Sequence, residues 1–219
     1  MRSLFLIILL IYLLLGCSTT SKVENRNQKI ITTHDIQVGL NWGGIIEDAK
    51  IDAVTGATKS SINIGYHPAF NICGKMIETG IDFLNYSQSF TYFDNTNNYD
   101  GKREFRYAEF RLPLTYNFQL FRDNNNEGLL KIKLGISSGY RIYENIKHSG
   151  ETPDYTFDKF SIGPTLGLST TPFKLNNKLK LGIYIDFVRA SKVYKDYYTT
   201  TNEVGNMSNL KFGIVLKIK

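Results

Sequence analysis

From residue 36 onward the chain repeatedly alternates its side chains one by one. This is plainest at the C-terminal end, where Leu210, Phe212, Ile214, Leu216 and Ile218 interleave with Lys211, Gly213, Val215, Lys217 and Lys219. Successive side chains of an extended strand point to opposite faces, so a period of two specifies β-strands with one apolar face and excludes a helix-built core.

Eight segments carry this pattern, at 36–46, 60–70, 76–93, 104–121, 129–143, 158–170, 178–189 and 207–219. In the first, Val38, Leu40 and Trp42 alternate with Gly39, Asn41 and Gly43; in the fourth, Phe110, Leu112, Leu114, Tyr116, Phe118 and Leu120 make the longest apolar stripe. The third and fourth exceed the roughly 9 to 11 residues that a tilted strand needs to cross a bilayer, so they are expected to rise beyond it as a hairpin. Two neighbouring apolar residues, Phe83 and Leu84, interrupt the parity of the third segment, and a bulge is expected there. The connections 47–59, 94–103, 144–157 and 190–206 are long, while 71–75, 123–128 and 171–177 are short and rich in turn-forming residues.

Ahead of the strands, Arg2 is followed by an apolar run from Leu4 to Leu15, too short to span a bilayer as a helix and typical of an export signal. The run ends Leu13-Leu14-Leu15-Gly16-Cys17, a pattern similar to a bacterial lipoprotein signal, with Cys17 as the acylated first residue. Residues 1–16 are thus expected to be removed and 17–35, polar and without periodicity, to form a flexible tether; 36–219 form one β-barrel domain. Loss of Arg2 takes the formal charge from +6 to +5, and the basic residues are scattered singly, which argues against nucleic-acid binding. With only two cysteines, one of them assigned to lipid, Cys73 has no intramolecular partner.

Alternation alone leaves two architectures. A soluble lipocalin-type barrel puts the apolar face inside around a ligand, whereas a membrane barrel puts it outside. Three features favour the second. The polar face is rich in glycine (Gly135, Gly163, Gly167 and Gly182 among others), which suits a crowded narrow interior. It also carries both signs of charge, at Glu109, Arg111, Lys131, Lys133, Lys180 and Asp186, which can pair across a lumen. Thirdly, long and short connections alternate as membrane barrels require. The expected fold is an all-β, eight-stranded antiparallel up-and-down transmembrane β-barrel of the outer membrane. Eight strands leave an interior just filled by side chains, so those six residues are expected to form a charge network that plugs it. On this reading Ile214 faces lipid and Lys211 the lumen, and Ile214→Arg should cost more than Lys211→Leu.

The sequence resembles the outer-membrane β-barrel domain family that includes PorT-like proteins. The resemblance rests on Glu78-Thr79-Gly80, on Leu84-Asn85-Tyr86-Ser87-Gln88 and on Phe110-Arg111-Leu112-Pro113-Leu114-Thr115-Tyr116, with compatible glycines at 39, 163 and 167. It covers nearly all of 36–219 and implies fold and location, with no reaction attached. Pro113 inside a long strand predicts a bulge or local break in pairing.

Catalytic motifs are sparse. The three histidines are His34 in the tether, His67 on the inward side of the second strand and His148 in an external loop beside Ser149. A rim-located lipid-modifying enzyme could use a His as base and a Ser as nucleophile, but sequence neighbours rarely align for this. No metal-ligand spacing occurs, and the stretch from Val54 to Ser61 lacks the spacing of a phosphate loop. The sequence therefore points to a non-enzymatic barrel without cofactor, in contact with outer-membrane lipid and able to meet a surface or periplasmic protein through its loops. An exported lipocalin-like lipoprotein binding an apolar ligand is the alternative, and the rim enzyme the third reading.

Overall fold

The computed structural model describes residues 33–46, 54–72, 75–94, 99–122, 128–150, 158–190 and 206–219. The leader, Cys17, most of the tether and Cys73 lie outside them. Ten strands are present among the described residues: β1 (Thr33–Ile46), β2 (Val54–Lys59), β3 (Ser61–Ile72), β4 (Lys75–Thr79), β5 (Ile81–Asp94), β6 (Tyr99–Arg122), β7 (Gly128–Gly150), β8 (Phe160–Lys174), β9 (Leu179–Ala190) and β10 (Asn206–Ile218). β2 and β3 are two parts of one barrel strand parted at Ser60, and β4 and β5 of another parted at Gly80, so ten segments make the eight strands expected.

Every ladder is antiparallel, and the circuit closes because β1 pairs with β10 on one side and β3 on the other. From Val38 the register runs one way through Ile214, Ile183 and Thr170 to Leu130, and the other way through Ile64, Phe83 and Phe110 to Tyr140. The two routes meet β7 ten residues apart, 140 against 130. A shear of ten over eight strands corresponds to a strand tilt of about 41° and a radius of about 8 Å, inside the range in which side chains fill the interior.

Burial alternates in reverse of a soluble protein. Along β8, Ser161, Gly163, Thr165, Gly167 and Ser169 are buried while Ile162, Pro164, Leu166 and Leu168 are exposed. β9 repeats this, with Tyr184, Asp186 and Val188 inside and Ile183, Ile185 and Phe187 outside. On β6 the outward apolar stripe runs from Phe110 to Leu120, ten residue steps, or about 26 Å along the barrel axis at that tilt.

The structure moves several boundaries. β1 begins at Thr33, so Thr33, His34 and Asp35, assigned above to the tether, belong to the barrel. Val54–Lys59 is strand, as is β7 as far as Gly150, which places the phosphate-loop-like stretch and His148 in ladders instead of loops. The strict long-short rhythm is lost in the middle, because 94 and 99–103 pair within β5–β6 and leave only 95–98 as the connection. The raised feature is consequently wider than a hairpin: upper β2, β5, β6 and β7 form a four-stranded wall, with β7 running ten residues beyond Tyr140, the last position it pairs with β8.

No slip occurs at Phe83 and Leu84, which pair in unbroken register with Phe110 and Glu109. Leu84 points inward by the same parity as Asp82, Tyr86 and Gln88. The break in this strand falls at Gly80, opposite Leu112 and Pro113, where the proline has no N–H to donate to a neighbour. On its other side Pro113 stays in register with Ser137. The bulge of β6–β7 lies higher: Glu109 pairs with Arg141 and Ala108 with Tyr143, leaving Ile142 as the extra residue, at the base of the wall where extra twist is needed.

Candidate functional site: the charged lumen and its aromatic cap

Inward parity brings charged residues from seven strand segments together. Glu78 on β4 receives Lys131 at 2.8 Å and Lys133 at 3.2 Å, both from β7. Lys133 also meets Asp186 of β9 at 3.3 Å; Asp186 meets Lys211 of β10 at 3.5 Å; and Lys211 meets Asp82 of β5 at 2.6 Å. His67 of β3 completes the circuit, its Nε2 2.9 Å from Asp82 and its Nδ1 3.2 Å from Glu78. The result is a ring, Glu78–Lys133–Asp186–Lys211–Asp82–His67–Glu78, with Lys131 carrying Asp35 of β1 as a branch.

All of these side chains are nearly inaccessible to solvent. Carboxylates accept only, so each ring nitrogen of His67 faces an acceptor, and Lys131, Lys133 and Lys211 stand among Asp35, Glu78, Asp82 and Asp186, with Lys217, opposite Asp35 in register, buried on the same inward face. Pairing of opposite charges is what lets such a buried cluster exist without a large desolvation penalty.

Above the ring lies a second pair. Arg111 binds Glu109 through Nε at 2.9 Å and Nη2 at 2.8 Å, and reaches Ser137 and Ser161, each at 3.1 Å. The Tyr86 hydroxyl donates to Glu109 at 3.0 Å and accepts from Asn209 at 3.0 Å. Higher still the interior turns aromatic: Tyr86 stacks on Tyr107 with centroids 4.5 Å apart, and Phe90 meets Phe105 edge-on at 5.5 Å. Arg103 lies over Phe105 and Arg141 over Tyr107, at 4.9 and 4.8 Å, so two guanidinium groups are held among rings. Leu84 and Tyr92 are fully buried here.

Glycines make the room. A Cβ at Gly65 would stand 2.3 Å from Asp82 Oδ1 and 2.9 Å from His67 Nε2, and one at Gly167 2.1 Å from Asp186 Oδ1. At Gly139 it would crowd Arg111, Ser161 and Glu109 together.

Of the six residues read from sequence as the lumen network, Glu109 and Arg111 form the upper pair, while Lys131, Lys133 and Asp186 join the ring or its branch. Lys180 lies at the end holding both described termini, half-buried and opposite Lys174 and Lys217 in register. Sequence reasoning missed Asp35, Glu78 and Asp82 as members and gave His67 and Lys211 only a direction. The signal was parity: Asp35 shares the face of Gln37 and Asn41, and Glu78 and Asp82 share that of Tyr86 and Gln88. His148 and Ser149, neighbours on strand β7, are both exposed and point to opposite faces, so they form no nucleophile and base pair. Val54–Lys59 is extended and offers no loop of convergent N–H groups. Among the described residues no cluster of three His, Cys, Asp or Glu side chains is arranged to hold a metal ion.

No family model matches this chain, and no curated protein does. Solved structures of similar shape include the outer membrane protein OprG from Pseudomonas aeruginosa, at 12% identity and TM-score 0.47 over 86% of this chain and 97% of that one. Neisserial surface protein A (NspA) matches at 11% and 0.42 over 85% and 96%, and Ail, the attachment invasion locus protein of Yersinia pestis, at 11% and 0.42 over 85% and 99%. The assignment of fold rests on the ladder pairings given above.

Proposed function

We propose that this chain is an outer-membrane β-barrel with a non-enzymatic structural or surface-interaction role, its lumen closed by the ionic ring and the aromatic cap. The observation that carries the reading is the inversion of polarity: an apolar band about 26 Å tall outside, close to the roughly 25 Å of outer-membrane barrels, around an interior of paired ions. A soluble lipocalin-type barrel requires the reverse, since its ligand is held by apolar residues facing inward; at the height of the band, Asp82, Lys133, Asp186 and Lys211 face inward here. A rim enzyme has no aligned nucleophile and base among the described residues.

An even number of strands places both termini in the periplasm. On that orientation the wall of β2, β5, β6 and β7 stands on the outer surface, where a partner would meet it. Residues 1–16 serve as the export signal, and Cys17, acylated, anchors the segment that leads into β1. The PorT-like resemblance supports the same location.

Membrane fractionation combined with heat-modifiable gel migration tests this. The chain is expected in the outer-membrane fraction and to migrate differently before and after boiling; a soluble periplasmic monomer would end the reading. Liposome swelling tests the closure separately, with no sugar permeation expected.

A further inference from the structure

The outward face of the wall is strongly cationic immediately above the apolar band. Register defines three rows there: Lys59–Ser87–Arg106–Asn145, then Ala57–Ser89–Glu104–Lys147, then Thr55–Thr91–Lys102–Ser149. Lys59, Lys102, Arg106 and Lys147 are all exposed, and Glu104 is the one carboxylate in these rows. Glu104 is engaged by Lys102 at 2.8 Å. That hydrogen bond, with the charges of Lys102, Lys59 and Arg106, holds the Glu104 carboxyl below its ordinary value, so the basic groups share one field.

The height is specific. Ile142 and Tyr143, both exposed, top the band at the bulge, and the Lys59–Arg106 row stands two residues above the Ala108–Tyr143 pair, about 5 Å along the axis. Lipid headgroups occupy roughly the 5 to 8 Å outside each face of the hydrocarbon. Lys59 and Arg106, two strands apart, are separated by about 10 Å of sheet, within joint reach of one phosphate through their long side chains, with the Ser87 hydroxyl between them. Lys147 lies diagonally above Arg106 and can bend toward the same level.

We propose that this face binds the phosphate groups of anionic lipid in the surrounding leaflet, with Lys59 and Arg106 as the primary contacts and Lys147 as the third. The inference rests on the outer-membrane reading above. A phosphate here meets fixed positive charge at the one height where a barrel wall touches headgroups, and the tall strands supply a rigid platform for it. Adjacent aromatic and aliphatic residues, Tyr143 and Ile142, pack on the acyl chains below.

The test uses the folded full chain in nanodiscs of phosphatidylcholine alone and of an equimolar mixture with phosphatidic acid, with retained lipid counted by native mass spectrometry. Wild type is expected to retain phosphatidic acid in preference to phosphatidylcholine. Lys59→Ser with Arg106→Ser should lower that preference about thirty-fold, the share of two cations at a headgroup surface. Lys59→Arg with Arg106→Lys should keep it. Both double variants must still shift on heating, which shows that they fold. Entry into the discs without any preference for phosphatidic acid overturns this inference alone, as does tight binding of soluble polyphosphate in place of the lipid. A chain that never enters the discs overturns the outer-membrane reading, and the inference with it.

Discussion

Glu78 is the residue on which the lumen ring depends most, because four groups converge on it: Lys131, Lys133, His67 and Asn117, the last donating its amide at 2.9 Å. Glu78→Gln keeps the shape and removes the charge. The two lysines then retain one carboxylate each, Asp35 for Lys131 and Asp186 for Lys133, while the cluster as a whole loses one negative charge in a buried interior. Removing one partner of a buried ion pair costs about 3 to 5 kcal/mol; with a second carboxylate remaining on each lysine, the lower end, about 3 kcal/mol, applies here. Removing one cation as well, in Glu78→Gln with Lys133→Met, restores the wild-type charge balance and should return stability to within about 1 kcal/mol of wild type, since an apolar replacement of similar volume offsets a lost buried pair. The assay is urea unfolding from phospholipid vesicles followed by the fluorescence of Trp42, the single tryptophan, which faces outward at the band and reports departure from lipid. Two results would refute the reasoning: a single variant as stable as wild type, or a double variant no better than the single.

Ile214→Arg places a charge on the lipid face and should cost about 2 to 4 kcal/mol near the midplane, read from the same unfolding curves. The sequence alone ranks Lys211→Leu as the milder change, but Lys211 pairs with Asp82 at 2.6 Å in the buried ring, so its loss leaves Asp82 to His67 and Asp186 to Lys133, with the cluster one cation short, and should cost about 3 kcal/mol as well; equal midpoints for Lys211→Leu and wild type would contradict that. Gly65→Ala drives a methyl group into the contact between Asp82 and His67 and should destabilise by about 1 to 3 kcal/mol, whereas Ser208→Ala at the half-buried upper end of β10 should change the midpoint little. For the leader, mass spectrometry of the mature protein is expected to find Cys17 as a diacylated or triacylated first residue, and an unmodified terminus beyond Cys17 removes that proposal.

What the sequence made legible follows from which physical signals are local. Period two is a property of neighbouring residues, so all eight barrel strands could be read, as could the inward parity of Glu109, Arg111, Lys131, Lys133 and Asp186. Strand ends were harder. Residues 99–103 and 144–150 look like loops by composition, with Asp100-Gly101 and Lys147-His148-Ser149-Gly150 among them, yet they extend β6 and β7 because their ladder partners lie on other strands: 99–103 pair with β5, and 144–150 pair with 101–107 of β6. Loop chemistry is a local preference, and a long antiparallel ladder overrides it.

The same distinction explains the ring. Glu78 and Asp82 lie within five residues of each other and share the inward parity, but they belong to β4 and β5, parted at Gly80 opposite Pro113, and their meeting at His67 of β3 is set by pairing across the sheet. Their partners Lys133 and Lys211 lie across the lumen, and which lysine meets which carboxylate is set by the shear of ten residues that closure imposes. A shear of eight in place of ten would slide the rows two residues along the strands and preserve every inward and outward assignment, because the shift is even. It would nonetheless bring different charges to the same height. Alternation therefore specifies that the lumen is ionic, while closure of the barrel specifies which charges pair.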